Sequence, residues 1–172
     1  AKPIALKECN NVVISDLTIK NATDLAVYFA GCENVRVLGL YIESHIDGIS
    51  PDSCKNVVIS DCIVNVGDDA IVLKSSYTLN RLKYCENISI TNCVISSRCN
   101  AIKFGTESIT GFINITISNC TIYNTRFSGI TLAAADGAVF DGISVNNISM
   151  RNVGNPFFIM ILNRGQCPEN RP

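Results

Sequence analysis

Three aspartates carry the chemistry that this sequence can offer: Asp47 and the adjacent pair Asp68-Asp69. Carboxylates packed closely oppose one another's ionisation, so at least one of a cluster is pushed to keep its proton. A neutral carboxyl can then serve as general acid while an ionised neighbour serves as base. That pairing suits cleavage of a glycosidic bond, where one acid protonates the leaving oxygen and a carboxylate activates water. Gly67-Asp-Asp also reads as a solvated turn, since Gly and Asp are both common in turns. The chemical reading holds only if the chain brings positions 47 and 69 side by side.

The elements that could do so are visible as a repeat. Cys9-Asn-Asn-Val-Val-Ile-Ser-Asp-Leu-Thr-Ile returns from Cys32, Cys54 and Cys85, and in looser form from Phe112 and Phe140. The starts are 23, 22, 31, 27 and 28 residues apart. Self-similarity at that period signals a solenoid. Inside each unit Val, Ile and Thr alternate with polar residues, the pattern of strands with one buried face. A second alternating run follows in each unit, including Ala26-Val-Tyr-Phe, Gly48-Ile-Ser-Pro, Ala70-Ile-Val-Leu-Lys, Ala101-Ile-Lys-Phe and Gly129-Ile-Thr-Leu. No amphipathic helix pattern of useful length interrupts them. The sequence predicts an all-β chain, a single-stranded parallel β-helix of about six coils, with coils spaced ~4.8 Å apart. Residues 1–172 form one domain on this reading.

In that register Leu25, Asp47, Asp69, Asn100 and Ser128 form one column, each just before the small residue that opens the second strand. Alternation sends Ile71 and Leu73 inward and Val72, Lys74 and Lys103 outward. The outer wall is therefore expected to carry Asp47, Asp68 and Asp69 with Lys74 and Lys103 nearby. Arg98 and Arg126, just before the second strands of their coils, are further candidate substrate-binding cations, and Glu107 is an additional carboxylate. His45, two residues before Asp47, could tune that acid or occupy an ordinary turn.

Two columns should stabilise the coils. Asn11, Asn34, Asn56, Asn87 and Asn114 share one repeat position, where Asn suits a tight left-handed bend and stacked amides can bond along the column. Cys9, Cys32, Cys54 and Cys85, continued by Phe112 and Phe140, and a second set of Cys62, Cys93 and Cys120, should line the interior. The nine cysteines therefore read mainly as buried free thiols, with Cys99 and Cys167 outside the pattern. Their odd number and the lack of a Cys-x-x-Cys pair argue against a zinc site. Five Asn-x-Ser/Thr matches, at Asn21, Asn87, Asn114, Asn119 and Asn147, read as by-products of the repeat rather than glycosylation sites. Residues 76–84 read as a loop extending from one coil, holding Arg81 and Lys83.

The bulk composition excludes several classes. A net charge of −1 leaves no basic footprint for nucleic acid. No apolar run reaches the ~18 residues of a membrane span. No leader pattern opens the chain, so an export signal is expected to have been removed or to lie outside it. The chain opens mid-coil at Pro3-Ile-Ala-Leu and closes on polar Gln166–Pro172 without an obvious cap. Because solenoid ends need capping, it is expected to be part of a longer helix or to associate end to end.

Asp47-Gly-Ile-Ser-Pro-Asp-Ser-Cys-Lys-Asn-Val, with Gly67-Asp-Asp-Ala-Ile-Val-Leu-Lys-Ser75, resembles family 28 of the glycoside hydrolases, the polygalacturonases and their relatives. The resemblance implies a right-handed β-helix, inverting hydrolysis of pectic polysaccharide and no metal or other cofactor. It implies that Asp68 is the acid and that Asp47 and Asp69 hold the attacking water. The family's Asn-Thr-Asp is represented by His45-Ile-Asp47, so only its Asp is kept. Its Gly-His-Gly falls on Cys99-Asn-Ala101, placing Asn100 where the family has His. Its Arg-Ile-Lys falls on Thr131-Leu-Ala133, so both cations that grip a galacturonate carboxylate are replaced. The expected function is thus a hydrolase of a pectic or related glycan, secreted to an extracellular or periplasmic space. The alternative is a catalytically silent β-helix that binds polysaccharide or serves as a structural module.

Overall fold

The computed structural model describes residues 1–166, so Cys167 and the polar residues after it lie outside the described part. Seventeen strands follow one another with no helix among the described residues. The first six are β1 (Ile4–Lys7), β2 (Asn10–Ser15), β3 (Thr18–Ala22), β4 (Val27–Ala30), β5 (Glu33–Leu38) and β6 (Tyr41–Ser44). The middle six are β7 (Ile49–Asp52), β8 (Lys55–Ser60), β9 (Ile63–Val66), β10 (Ile71–Ser75), β11 (Cys85–Thr91) and β12 (Val94–Ser97). The last five are β13 (Asn100–Ser108), β14 (Gly111–Ser118), β15 (Thr121–Ala134), β16 (Val139–Asn146) and β17 (Ser149–Ile161).

Each strand pairs in parallel with its counterpart one coil away. One wall runs β2-β5-β8-β11-β14-β16. A second runs β1-β4-β7-β10-β13-β15, and a third runs β3-β6-β9-β12-β15, the long β15 and β17 bending to serve both. This is the expected parallel β-solenoid of about six coils.

The coil interior is the core. Val35, Val57, Ile88 and Ile115 stack in register on the first wall, and Ile49, Ile71, Ile102 and Ile130 on the second, all buried. Seven of the column cysteines and Cys99 are free, and of the columns only Cys9 is partly exposed. Where Phe112 and Phe140 replace cysteine, they gather with Phe104 at ring separations of 5.1–5.8 Å. These tilted and edge-on contacts fill the late coils with packed aromatic volume.

Left-handed residues build two corners, one ladder at each: the first where the second wall passes into the first wall, the second where the first wall passes into the third. Asn11, Asn34, Asn56, Asn87 and Asn114 all have φ between 54° and 57°. Their amides bond coil to coil at 2.8–3.3 Å. A second ladder, not anticipated, comprises Asp16, Asp61, Asn92, Asn119 and Asn147, also with positive φ, with bonds from Asn92 to Asp61 and from Asn147 to Asn119. Asn87 and Asn114 are thus ladder members, as the repeat reading of the glycosylation matches required. The 76–84 loop lies back on the early coils: Arg81 pairs with Glu8, Lys83 lies 2.9 Å from Glu33, and Leu79 is buried against Gly31.

Candidate active site

The register that the chemistry needs is present in the backbone. The N–H of Gly48 donates to the carbonyl of Asp69, and the N–H of Ile49 to that of Ala70. One coil on, Ala70 N–H donates to the carbonyl of Asn100, and Asn100 pairs with Ser128. Asp47, Asp69, Asn100 and Ser128 therefore occupy successive rungs. Two glycines permit the close approach. A Cβ on Gly48 would meet the Ala70 carbonyl oxygen at 2.4 Å, and one on Gly67 would meet that of His45 at 2.3 Å. Each acid thus adjoins a position where only glycine lets one coil rest on the next.

Side-chain bonds tie the rungs together. Asp47 Oδ1 accepts from the backbone N–H of Asp69 at 3.3 Å, and Asp47 Oδ2 lies 3.4 Å from Lys74 Nζ. Asp69 Oδ2 accepts from Lys103 Nζ at 2.7 Å, and its Oδ1 from Asn100 Nδ2 at 2.6 Å. Asn100 Oδ1 in turn accepts from the Thr131 hydroxyl at 2.8 Å. Lys74 is shared, because Glu107 Oε2 also stands 3.4 Å from its Nζ. Asp68 is partly exposed, and its carboxylate, that of Asp69 and the Cys99 sulfur lie within 4.8 Å of one another.

Asp47 and Asp69 pair with Lys74 and Lys103, which alternate with the core residues Ile71, Leu73, Ile102 and Phe104, so both belong to the outer wall. That wall is more covered than alternation suggests, with each acid only 5% exposed. Val72, expected to face outward, is indeed absent from the core cluster, yet it is buried. Ile71 and Leu73 face inward as predicted.

Burial pushes the Asp47 carboxyl up to about 6; Lys74 opposes the rise, and Asp69 and Asp68 add to it. Burial acts against the charged form of Lys74 as well, but Glu107 and Asp47 outweigh it and hold the ammonium above its ordinary range. For Glu107 burial is likewise outweighed, chiefly by Lys74, so this carboxyl sits below its ordinary range. Burial, with Asp69 and Asp68, pushes the Cys99 thiol up to about 11. The trio Asp68, Asp69 and Cys99 could in principle hold a metal ion, but Cys99 would have to lose a proton that its surroundings hold firmly.

The structure thus brings together Asp47, Asp68, Asp69, Lys74, Asn100, Lys103 and Glu107. It does not join the remaining candidates to them. His45 is exposed and makes no hydrogen bond to Asp47, its carbonyl serving only as the floor beneath Gly67. Arg98 and Arg126 are exposed, and neither forms an ion pair with the acids. Arg126 instead borders a shallow pocket with Asn124, Asn152 and Gly154.

Sequence reading gave no role to four participants. Thr131 orients Asn100. Asp136 binds Arg164 through both carboxylate oxygens, at 2.9 and 2.6 Å, beside Glu107. Asp52 is buried and accepts from the Tyr28 hydroxyl and from Ser76. The offset that pairs Lys74 with Asp52 could have flagged Asp52; nothing local flags Asp136 and Arg164.

The sequence profile of the Glycosyl hydrolases family 28 matches residues 1–170. Polygalacturonase QRT2 of Arabidopsis thaliana is 27% identical over 174 residues, covering 95% of this chain and 37% of that protein. Polygalacturonase-2 of Solanum lycopersicum is 23% identical, covering 95% of this chain and 35% of its own length. The endo-polygalacturonase of Pectobacterium carotovorum subsp. carotovorum is 23% identical, at 91% and 39%. The chain therefore spans a little over a third of the length of these relatives.

Proposed function

Because this chain belongs to the Glycosyl hydrolases family 28, we propose that it hydrolyses a pectic or related polysaccharide by inverting acid/base catalysis. The observation that carries the reading is the stacking of Asp47 on Asp69, one rung apart on the outer wall, with Asp68 beside them. Asp68, partly exposed and free of a lysine partner, donates the proton to the leaving glycosidic oxygen. Asp47 and Asp69 are pinned by Lys74 and Lys103 and hold the attacking water between fixed oxygens. Lysine pairing costs no reorganisation during reaction, because the charges are already in place. Secretion to the compartment that holds the polymer follows from this substrate.

The test is reducing-sugar release from a panel of pectic and other plant glycans, with Asp68→Asn as control. Loss of its acid should lower kcat by at least about a hundredfold, the usual range for general-acid catalysis. Unchanged activity in that variant would remove Asp68 from its role. Binding of glycans without hydrolysis of any would favour the silent module.

A further inference from the structure

The charges of the site are largely spent on one another. Lys74 Nζ stands 3.4 Å from a carboxylate oxygen of Asp47 and 3.4 Å from one of Glu107. Lys103 Nζ is 2.7 Å from Asp69. Four carboxylates, those of Asp47, Asp68, Asp69 and Glu107, thus surround two ammonium groups whose side chains are each only 15% exposed. Arg164, which borders Glu107, is engaged by both oxygens of Asp136 and by the Thr106 carbonyl. The neutral donors are committed as well, the Asn100 amide to Asp69 and the Thr131 hydroxyl to Asn100.

A sugar settling over Asp68 meets a site whose anions outnumber its cations. A uronate carboxylate there would face like charge and give up its hydration beside ammonium groups that are already paired. An uncharged ring incurs neither cost. We propose that the sugar unit seated against this site is uncharged, and that Glu107, by occupying Lys74, is the residue that excludes a uronate. This rests on the hydrolase reading for the location of the site. A neutral sugar and a methyl-esterified uronic acid share the required chemistry.

Three probes separate the cases: an α-1,4-linked galacturonate oligomer, its methyl ester and its carboxyl-reduced form. Binding to the full chain is measured by calorimetry at low and high salt, with hydrolysis followed in parallel. At least one uncharged form should bind about fivefold or more tightly than the acid form at low salt, the margin shrinking as salt screens the field. Preference for the ester alone would identify an esterified uronide, and preference for the reduced form alone a neutral sugar. Glu107→Gln, which leaves Lys74 with one carboxylate, should narrow the margin about threefold; an unchanged margin would overturn the role of Glu107. Equal or tighter binding of the acid form, or no binding of either uncharged form, would overturn the inference. Hydrolysis of the acid form in preference would do so while leaving the hydrolase reading intact. Preferential binding of an uncharged form without any hydrolysis would uphold it and sink the hydrolase reading.

Discussion

At Asp47 the fold places a carboxylate where water is nearly absent and two like charges are close. Its carboxyl is raised from 3.8 to about 6, so the folded state binds this proton more tightly than the unfolded chain does. The resulting cost to stability is absent below about pH 4, grows as pH rises toward 6, and is complete above it. Asp47→Asn removes that cost while keeping an oxygen able to accept from the Asp69 N–H. We expect the variant to be inactive yet more stable at pH 7, by up to about 2–3 kcal/mol. The gain should vanish near pH 4, which paired thermal melts at the two pH values would show. Equal melting temperatures at pH 7 would mean that Lys74 offsets the whole cost. In the proposed hydrolysis the same titration would set the acidic limb, because Asp47 can steady an attacking water as a base only when ionised. Below about pH 6 kcat/KM should fall.

The asparagine ladder belongs to the scale of elements. Each member combines a left-handed backbone, which Asn tolerates, with an amide that reaches the neighbouring coil. Asn87 donates to Asn56 at 3.0 Å and accepts from Asn114 at 2.8 Å, at φ 55°. Asn87→Ala loses both bonds and strains the backbone, and we expect a loss of about 2 kcal/mol in chemical denaturation. Asn87→Gly keeps the backbone free and should lose only about 1 kcal/mol. Similar losses for the two variants would assign the column's value to its amides alone. Because the ladder stands on the wall remote from the acids, neither change should alter the pH profile.

Across the whole molecule, the stacking of like on like turns a run of cysteines into a dry seam. Cys32, Cys54, Cys62, Cys85, Cys93 and Cys120 are each no more than 1% exposed, and burial pushes the Cys85 thiol up to about 12. Sulfur this deeply buried is closed to an aqueous alkylating reagent whatever its acidity, so these six should resist modification in the native chain, and of the column cysteines Cys9 should be modified first. Mass mapping of labelled peptides with and without denaturant would check this. Modification of the six at the rate of Cys9 in native buffer would show that the coils do not close as described.

The repeat settled the architecture because a solenoid has only nearest-neighbour contacts, so a period in sequence is a period in space. Residues 47 and 69 become neighbours for the same reason that Asn34 and Asn56 do. The three acids, Asn100 and the two lysines were legible through that register alone. What register could not supply was the direction taken by long side chains and the contacts made outside the repeat. Only the tertiary structure decided that Lys74 divides itself between Asp47 and Glu107, that Lys103 serves Asp69, and that Arg126 and His45 do neither. It also decided that Asp47 lies nearly out of water, which raises its pKa. Period-two alternation gives the face on which a side chain lies, whereas burial and charge pairing depend on everything else that covers that face.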